Sequence, residues 1–211
     1  MKRFFVFVPG LRYKQTTLLF SRAKIFFNRH GFANTFYEVS SVNYYSTPLS
    51  EQIDRLRREL IRIRTEFTQV HVIAHSLGAF PTLACADLAA GLVLWDPSLS
   101  PKDVFSTAEY NQQFRNYCFA GHFDLLISKA VISEIENLPI MEALINACKT
   151  PTTIITAQYG GDRHCREYYR ILQYPLGYHC IKDAKHNFKD PAGQQELFNK
   201  TLEALRASPQ L

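Results

Sequence analysis

Long hydrophobic segments are missing from this 211-residue sequence. No stretch approaches the roughly 20 apolar residues that a transmembrane helix requires, so we expect no membrane span. The apolar run Phe4–Val8 stops at Pro9-Gly10, which makes it shorter than the roughly 7–15 residues of a signal-peptide core. We therefore expect a β-strand at this position and a cytoplasmic protein.

Paired cysteines and a strong charge imbalance are also missing. The 5 cysteines are scattered, and no two of them form a C-x-x-C pair. This pattern favours reduced thiols in an intracellular protein over a disulfide framework or a zinc site. The net charge of +5, from 24 Lys+Arg against 19 Asp+Glu, is too small to imply nucleic-acid binding.

What the sequence does contain is an alternation of strand-like and helix-like segments. Its length and its 46% hydrophobic content are typical of one soluble globular domain over residues 1–211. Alternating strands and helices predict a three-layer α/β/α sandwich with a mostly parallel, six-stranded sheet. The pattern changes over about residues 98–148, where we expect a small helical cap or lid inserted into the domain. The predicted strands are residues 4–8, 32–42, 70–74, 91–96, 152–157 and 177–181.

A serine stands where the third predicted strand gives way to a helix. The segment Ala74-His75-Ser76-Leu77-Gly78 approximates the small-x-Ser-x-Gly pattern of a sharp strand-to-helix turn. Small residues are required on both sides because strand and helix pass closely there. Such a turn lifts the serine hydroxyl clear of the sheet, beside the first free N–H groups of a helix. The structural alternative for Ser76 is a helix N-cap.

A serine hydroxyl needs a base to take its proton and an acid to orient that base. In open parallel sheets such groups gather beyond the carboxyl ends of the strands. Asp162 follows the fifth predicted strand behind Gly160-Gly161, and His186 follows the last strand. Asp96, at the end of the fourth strand, is the competing candidate for the acid. We favour Asp162 for that role.

With Ser76, an acid and His186 in this order, the chain resembles the α/β-hydrolase superfamily, as a compact serine esterase-like member. The resemblance implies that Ser76 is the nucleophile, His186 the general base and acid, and Asp162 the partner that orients the histidine. It also implies an oxyanion hole made by the backbone N–H groups of Leu11 and Leu77. Larger members begin with antiparallel strands that this sequence lacks, so a minimal version of the fold is expected.

These expectations describe a serine hydrolase that cleaves carboxylic esters, or thioesters, through an acyl-enzyme intermediate. No metal or organic cofactor is expected, and the expected partner is a small-molecule acyl ester. An acyltransferase or an amidase would use the same three residues. The non-enzymatic alternative is a binding protein that retains the fold without turnover. Neither the physiological substrate nor the oligomeric state follows from these residues.

Overall fold

Ten strands and eight helices make up the described part of the chain. The computed structural model describes residues 3–11, 17–37, 44–98, 101–119, 122–135, 137–139 and 141–207. The strands are β1 (Arg3–Val8), β2 (Ala33–Phe36), β3 (Tyr44–Tyr45), β4 (Gln69–His75), β5 (Gly91–Trp95), β6 (Ala108–Asn111), β7 (Asn116–Phe119), β8 (His122–Ile127), β9 (Thr152–Tyr159) and β10 (Pro175–Lys185). The helices are α1 (Leu18–Arg29), α2 (Leu49–Arg64), α3 (Ala79–Ala84), α4 (Pro101–Phe105), α5 (Lys129–Ile135), α6 (Met141–Ala147), α7 (Asp162–Ile171) and α8 (Pro191–Ala207).

Six of the strands form one sheet in the order β10-β9-β5-β4-β1-β2. Every neighbouring pair is parallel, so the predicted six-stranded sheet is confirmed. The second strand ends at Phe36, and residues 38–42 of its predicted range 32–42 lie outside the described residues. Because β9, β5 and β4 are adjacent and parallel, the residues that follow them lie at one edge of the sheet.

The large sheet is buried on both faces by two apolar clusters. Successive residues of β1 alternate between them: Phe5 and Phe7 join one cluster, and Val6 and Val8 join the other. The first cluster is completed by α1 and α8, and the second by α2, α3 and α5–α7. A parallel strand buried on both faces requires a nearly continuous apolar sequence, which is what β1, β4 and β5 have. The predicted three-layer α/β/α architecture is therefore confirmed.

The segment that was predicted as a helical cap also contains three strands. A second, four-stranded sheet has the order β3-β8-β7-β6, and α4, α5 and α6 belong to the same part of the chain. Neither β6 nor β7 has the alternation of buried and exposed residues that identifies a half-buried strand in a sequence. The helices of this segment contribute Val131, Met141 and Ile145 to the core.

Candidate active site

A strained turn presents Ser76 at the end of β4. All seven residues of β4 are buried, and the chain then enters a 3₁₀ turn over Ser76–Gly78 that leads into α3. Ser76 has a φ of +54°, which a side-chain-bearing residue adopts only when its surroundings enforce it. Ser76 is 8% exposed, so it is largely buried but still accessible at the protein surface.

The loop after β1 packs directly against this turn. A Cβ atom on Gly78 would lie 2.5 Å from the carbonyl oxygens of both Val8 and Pro9, and one on Gly10 would lie 2.6 Å from the Cβ atom of Ser76. Glycine at both positions therefore permits the close approach. Leu11 follows Gly10 in this loop, and Leu77 is the second residue of the 3₁₀ turn. Of the two residues whose N–H groups were expected to form an oxyanion hole, Leu11 thus directly follows the glycine that packs on Ser76, and Leu77 directly follows Ser76 in the chain.

His186 is the direct partner of Ser76. It is the first residue after β10, and its Nε2 atom lies 2.9 Å from Ser76 Oγ. The imidazole side chain is 43% exposed. The structure therefore brings together the serine and the histidine that the sequence singled out.

The carboxylate that reaches His186 belongs to Asp96, so the preference for Asp162 is wrong. The Nδ1–H group of His186 donates a hydrogen bond to Asp96 Oδ2. Asp96 follows β5 with a φ of +40°, and its side chain is fully buried. Asp162 begins α7, and its side chain lies outside the described part of the chain. With Asp96 as its acceptor, the Nδ1 proton of His186 is already committed.

Gly160 and Gly161 explain how the carboxylate of Asp96 is accommodated beside His186. A Cβ atom on Gly160 would lie 2.1 Å from Asp96 Oδ2, so only glycine leaves room for that carboxylate. The Gly161 N–H group donates a hydrogen bond of 3.1 Å to Asp96 Oδ1. The glycine pair that suggested a turn before Asp162 therefore accommodates Asp96 instead.

Three donors hold the second oxygen of Asp96. Besides Gly161, the Thr156 hydroxyl donates to Oδ1 at 2.6 Å and the Ala157 N–H group donates to it at 3.1 Å. Burial by itself would raise the pKa of Asp96, but the hydrogen bonds from His186, Thr156 and Gly161 outweigh it and lower the pKa. Asp96 is thus held as a charged acceptor.

His75 holds the backbone of His186 in place through a hydrogen bond. Its Nε2 atom lies 2.9 Å from the backbone carbonyl oxygen of His186; since a carbonyl only accepts, Nε2 carries the hydrogen. The two imidazole rings lie 4.9 Å apart. Burial and the nearby His186 both hold the pKa of His75 well below its usual value, so it acts as a neutral donor.

Ser98 is a site residue that sequence reasoning missed. Its hydroxyl oxygen lies 2.7 Å from Ser76 Oγ, which gives the serine two side-chain partners. The signal was its position, since Ser98 follows Asp96 by two residues at the same strand end.

A cleft of about 430 Å³ opens beside His186. Its wall combines the β5 loop, α4, the turn after β9 and the start of α7. The residues that line it are Pro97, Ser98, Asp103, Val104, Gly160, Gly161, His164 and His186. The cleft is large enough for one small organic group next to the reactive side chains.

The described residues contain no group of three or more His, Cys, Asp or Glu side chains placed to hold a metal ion. None of their helices is long and apolar enough to cross a membrane.

Solved structures place this architecture among known folds. The structure of DcsB in complex with its substrate analogue matches with a TM-score of 0.78, 13% identity and coverage of 99% of this chain and 92% of that one. Est1E from Butyrivibrio proteoclasticus matches with a TM-score of 0.74, 11% identity and coverage of 97% and 89%. MGS-MChE2, an α/β hydrolase enzyme from the metagenome of Mar Chica lagoon sediments, matches with a TM-score of 0.67, 17% identity and coverage of 98% and 93%. The chain has the α/β-hydrolase fold.

Sequence comparison adds nothing to this assignment. No family model matches the chain, and no curated protein matches it significantly. At identities of 11–17% the similarity is one of fold. In this α/β-hydrolase fold, Ser76 occupies the turn after a central strand, and Asp96 and His186 follow two other strands of the same sheet.

Proposed function

We propose that this protein is a serine hydrolase that cleaves carboxylic esters through an acyl-enzyme intermediate, with Ser76 as nucleophile. The observation that carries the proposal is the chain of contacts from Ser76 Oγ to His186 Nε2, 2.9 Å apart, and from His186 Nδ1 to Asp96 Oδ2. This is the arrangement that makes a hydroxyl group nucleophilic at neutral pH.

Proton positions follow from these contacts. Asp96 accepts the Nδ1 hydrogen, so the Nε2 lone pair of the neutral imidazole is available to Ser76. As Ser76 Oγ bonds to the ester carbon, its proton moves to Nε2, and the buried carboxylate stabilises the resulting imidazolium. His186 then gives this proton to the departing alkoxide. In the second half, water loses a proton to Nε2, bonds to the acyl carbon, and displaces Ser76 Oγ, which takes the proton back.

The developing oxyanion is assigned to the backbone N–H groups of Leu11 and Leu77. The support is the close packing of the Gly10 loop on Ser76 and the place of Leu77 in the first turn after β4, where N–H groups have no partner within the helix. Two fixed donors at this point would act in the attack and in the collapse of both tetrahedral intermediates.

Hydrolysis is preferred over acyl transfer because water can reach the base. The His186 side chain is 43% exposed, whereas transfer to a bound alcohol requires that water be excluded. A binding protein without turnover is disfavoured by the positive φ of Ser76, since such strain is retained where function uses it. The thiol state of all five cysteines supports a reducing, cytoplasmic setting.

The cleft and one of the similar structures support the proposed substrate class. The cleft of about 430 Å³ suits a small or medium-sized group, and the cap segment 98–148 contributes Asp103 and Val104 to its wall. Est1E, which has the same fold, has been solved with ferulic acid, a carboxylic acid, bound to it. Thioesters and amides would pass through the same steps, and esters are the preferred class.

Covalent labelling tests the proposal without knowledge of the natural substrate. Folded protein treated with a fluorophosphonate should carry one adduct, which peptide mass spectrometry locates on Ser76. Ser76→Ala should abolish the labelling, whereas Ser133→Ala, which removes an exposed hydroxyl bonded within α5, should leave it unchanged. Absence of labelling at Ser76 in the folded wild-type protein would refute the proposal.

A further inference from the structure

Ser98 contacts the same reactive oxygen of Ser76 as the catalytic base does. Its hydroxyl oxygen lies 2.7 Å from Ser76 Oγ, while His186 Nε2 lies 2.9 Å from the same atom. The loop that carries Ser98 is anchored, because Pro97 is buried and its carbonyl oxygen accepts a hydrogen bond from the Cys165 thiol. The contact therefore belongs to a fixed part of the site.

The direction of this hydrogen bond follows from proton counting. The single hydrogen of Ser76 points to His186 Nε2, which is an acceptor because Nδ1 donates to Asp96. Ser98 must therefore donate its hydrogen to Ser76 Oγ. The lone pairs of Ser98 Oγ are left as acceptors beside the reactive oxygen.

Ser98 and His186 also share the wall of one cleft. The leaving oxygen of an ester must lie next to His186 Nε2, since that atom protonates it, and the attacking water must later occupy the same place. Ser98 is half-buried and lines the cleft on this side. Water that enters this cleft meets two acceptors in its wall, His186 Nε2 and Ser98 Oγ.

We infer that Ser98 is a fourth catalytic residue, which holds the water that attacks the acyl-enzyme and stabilises the departure of Ser76 Oγ. The inference rests on the proposed function. Water donates one hydrogen to His186 Nε2 and the other to Ser98 Oγ, so that its lone pair faces the acyl carbon. The O–H group of Ser98 remains directed at Ser76 Oγ and stabilises the negative charge that grows there as the acyl bond breaks. Ser98 itself neither gains nor loses a proton.

The two half-reactions depend on Ser98 to different extents. A p-nitrophenyl ester has a leaving group that needs no proton, so acylation uses Ser98 only to hold the Ser76 rotamer. Deacylation uses it twice, for the water and for the leaving serine oxygen. The loss of one such oriented group is expected to slow deacylation on the order of ten- to a hundredfold.

Pre-steady-state kinetics on Ser98→Ala provide the test. We expect a stoichiometric burst of p-nitrophenol followed by a steady state slower by the factor above, with acylation and fluorophosphonate labelling of Ser76 far less affected. Ser98→Thr retains the hydroxyl and should restore most of the turnover. Ser133→Ala is the matched control, and thermal unfolding shows whether each variant is folded.

Added methanol supplies a readout that a merely structural role would not change. Methanol has one O–H hydrogen, which goes to His186, so its attack does not use the acceptor on Ser98. The ratio of methyl ester to free acid should therefore rise in Ser98→Ala. Wild-type kinetics, or equal slowing of both half-reactions with an unchanged ratio, would overturn the inference while Ser76 labelling leaves the proposed function standing. Failure of wild-type labelling would instead remove the proposed function.

Discussion

The ends of β5 and β9 lie side by side, and each is followed by an aspartate; the carboxylate that contacts His186 is that of Asp96. After β5 the chain turns at Asp96 itself, with a φ of +40°, and the carboxylate enters the protein. After β9 the chain passes through Gly160 and Gly161, which give space and an N–H group to Asp96. The end of β9 thus leaves room for the carboxylate that follows β5.

The largest difference in activity is expected between variants of the two aspartates. Asp96→Asn should lower kcat for a p-nitrophenyl ester by about 10³–10⁴-fold, because an amide donates to Nδ1 and stabilises the wrong tautomer of the histidine. Asp162→Asn should remain within about twofold of wild type, because Asp96 already accepts the Nδ1 hydrogen of His186. Comparable losses in both variants would mean that the two strand ends share the role of the acid.

Filling the space between the ends of β5 and β9 should have a smaller effect on kcat. Gly160→Ala places a Cβ atom 2.1 Å from Asp96 Oδ2, so the carboxylate must move, and kcat should fall roughly tenfold to a hundredfold, as for other small misplacements of catalytic groups. Gly161→Ala is the matched control. Its Cβ would lie 3.4 Å from the nearest atom, Cys165 Sγ, and its φ of −90° suits alanine. A fully active Gly160→Ala variant would contradict the account of this contact.

Strand β4 offers a similar comparison, between His75, which contacts His186, and His71, which has no such contact. His75 and His71 lie on one face of the strand and are almost fully buried. His75 holds the carbonyl group of His186, whereas neither ring nitrogen of His71 has a hydrogen-bond partner in the described part of the chain. Burial, with a contribution from Arg3, lowers the pKa of His71 to about 4.

Substitutions of His71 and His75 should therefore differ in their effect on turnover but have the same effect on the acid sensitivity of the folded protein. Between pH 6.5 and 4 the unfolded chain binds a proton at His71 that the folded protein does not. The free energy of unfolding therefore decreases by up to about 3 kcal/mol as the pH is lowered through this range. His71→Leu should reduce this loss and leave turnover unchanged. His75→Leu should reduce acid sensitivity too, but lower turnover several-fold. Urea unfolding at pH 7, 5.5 and 4.5 and ester turnover at pH 7 measure both; unchanged acid sensitivity in His71→Leu would refute the assignment.

The sequence predicted the parallel sheet and the turn at Ser76 because both depend on local signals, and it pointed to His186 through its place after the last strand. Strands buried on both faces require continuous apolar runs, and the turn at Ser76 requires Gly78 against the carbonyl groups of β1. The choice of Asp96 over Asp162 was not predictable, because it depends on a backbone angle at Asp96 and on space left by Gly160. Strands β6 and β7 were missed because they lack the alternation of buried and exposed residues that marks a half-buried strand in a sequence.

The most direct test of the central claim is the rate at which a fluorophosphonate labels Ser76 in wild type, Asp96→Asn and Asp162→Asn. This rate reports activation of the serine and needs no knowledge of the natural ester. We predict labelling at least about a hundredfold slower in Asp96→Asn and at the wild-type rate in Asp162→Asn. Slow labelling in Asp162→Asn together with wild-type labelling in Asp96→Asn would contradict the Ser76–His186–Asp96 assignment.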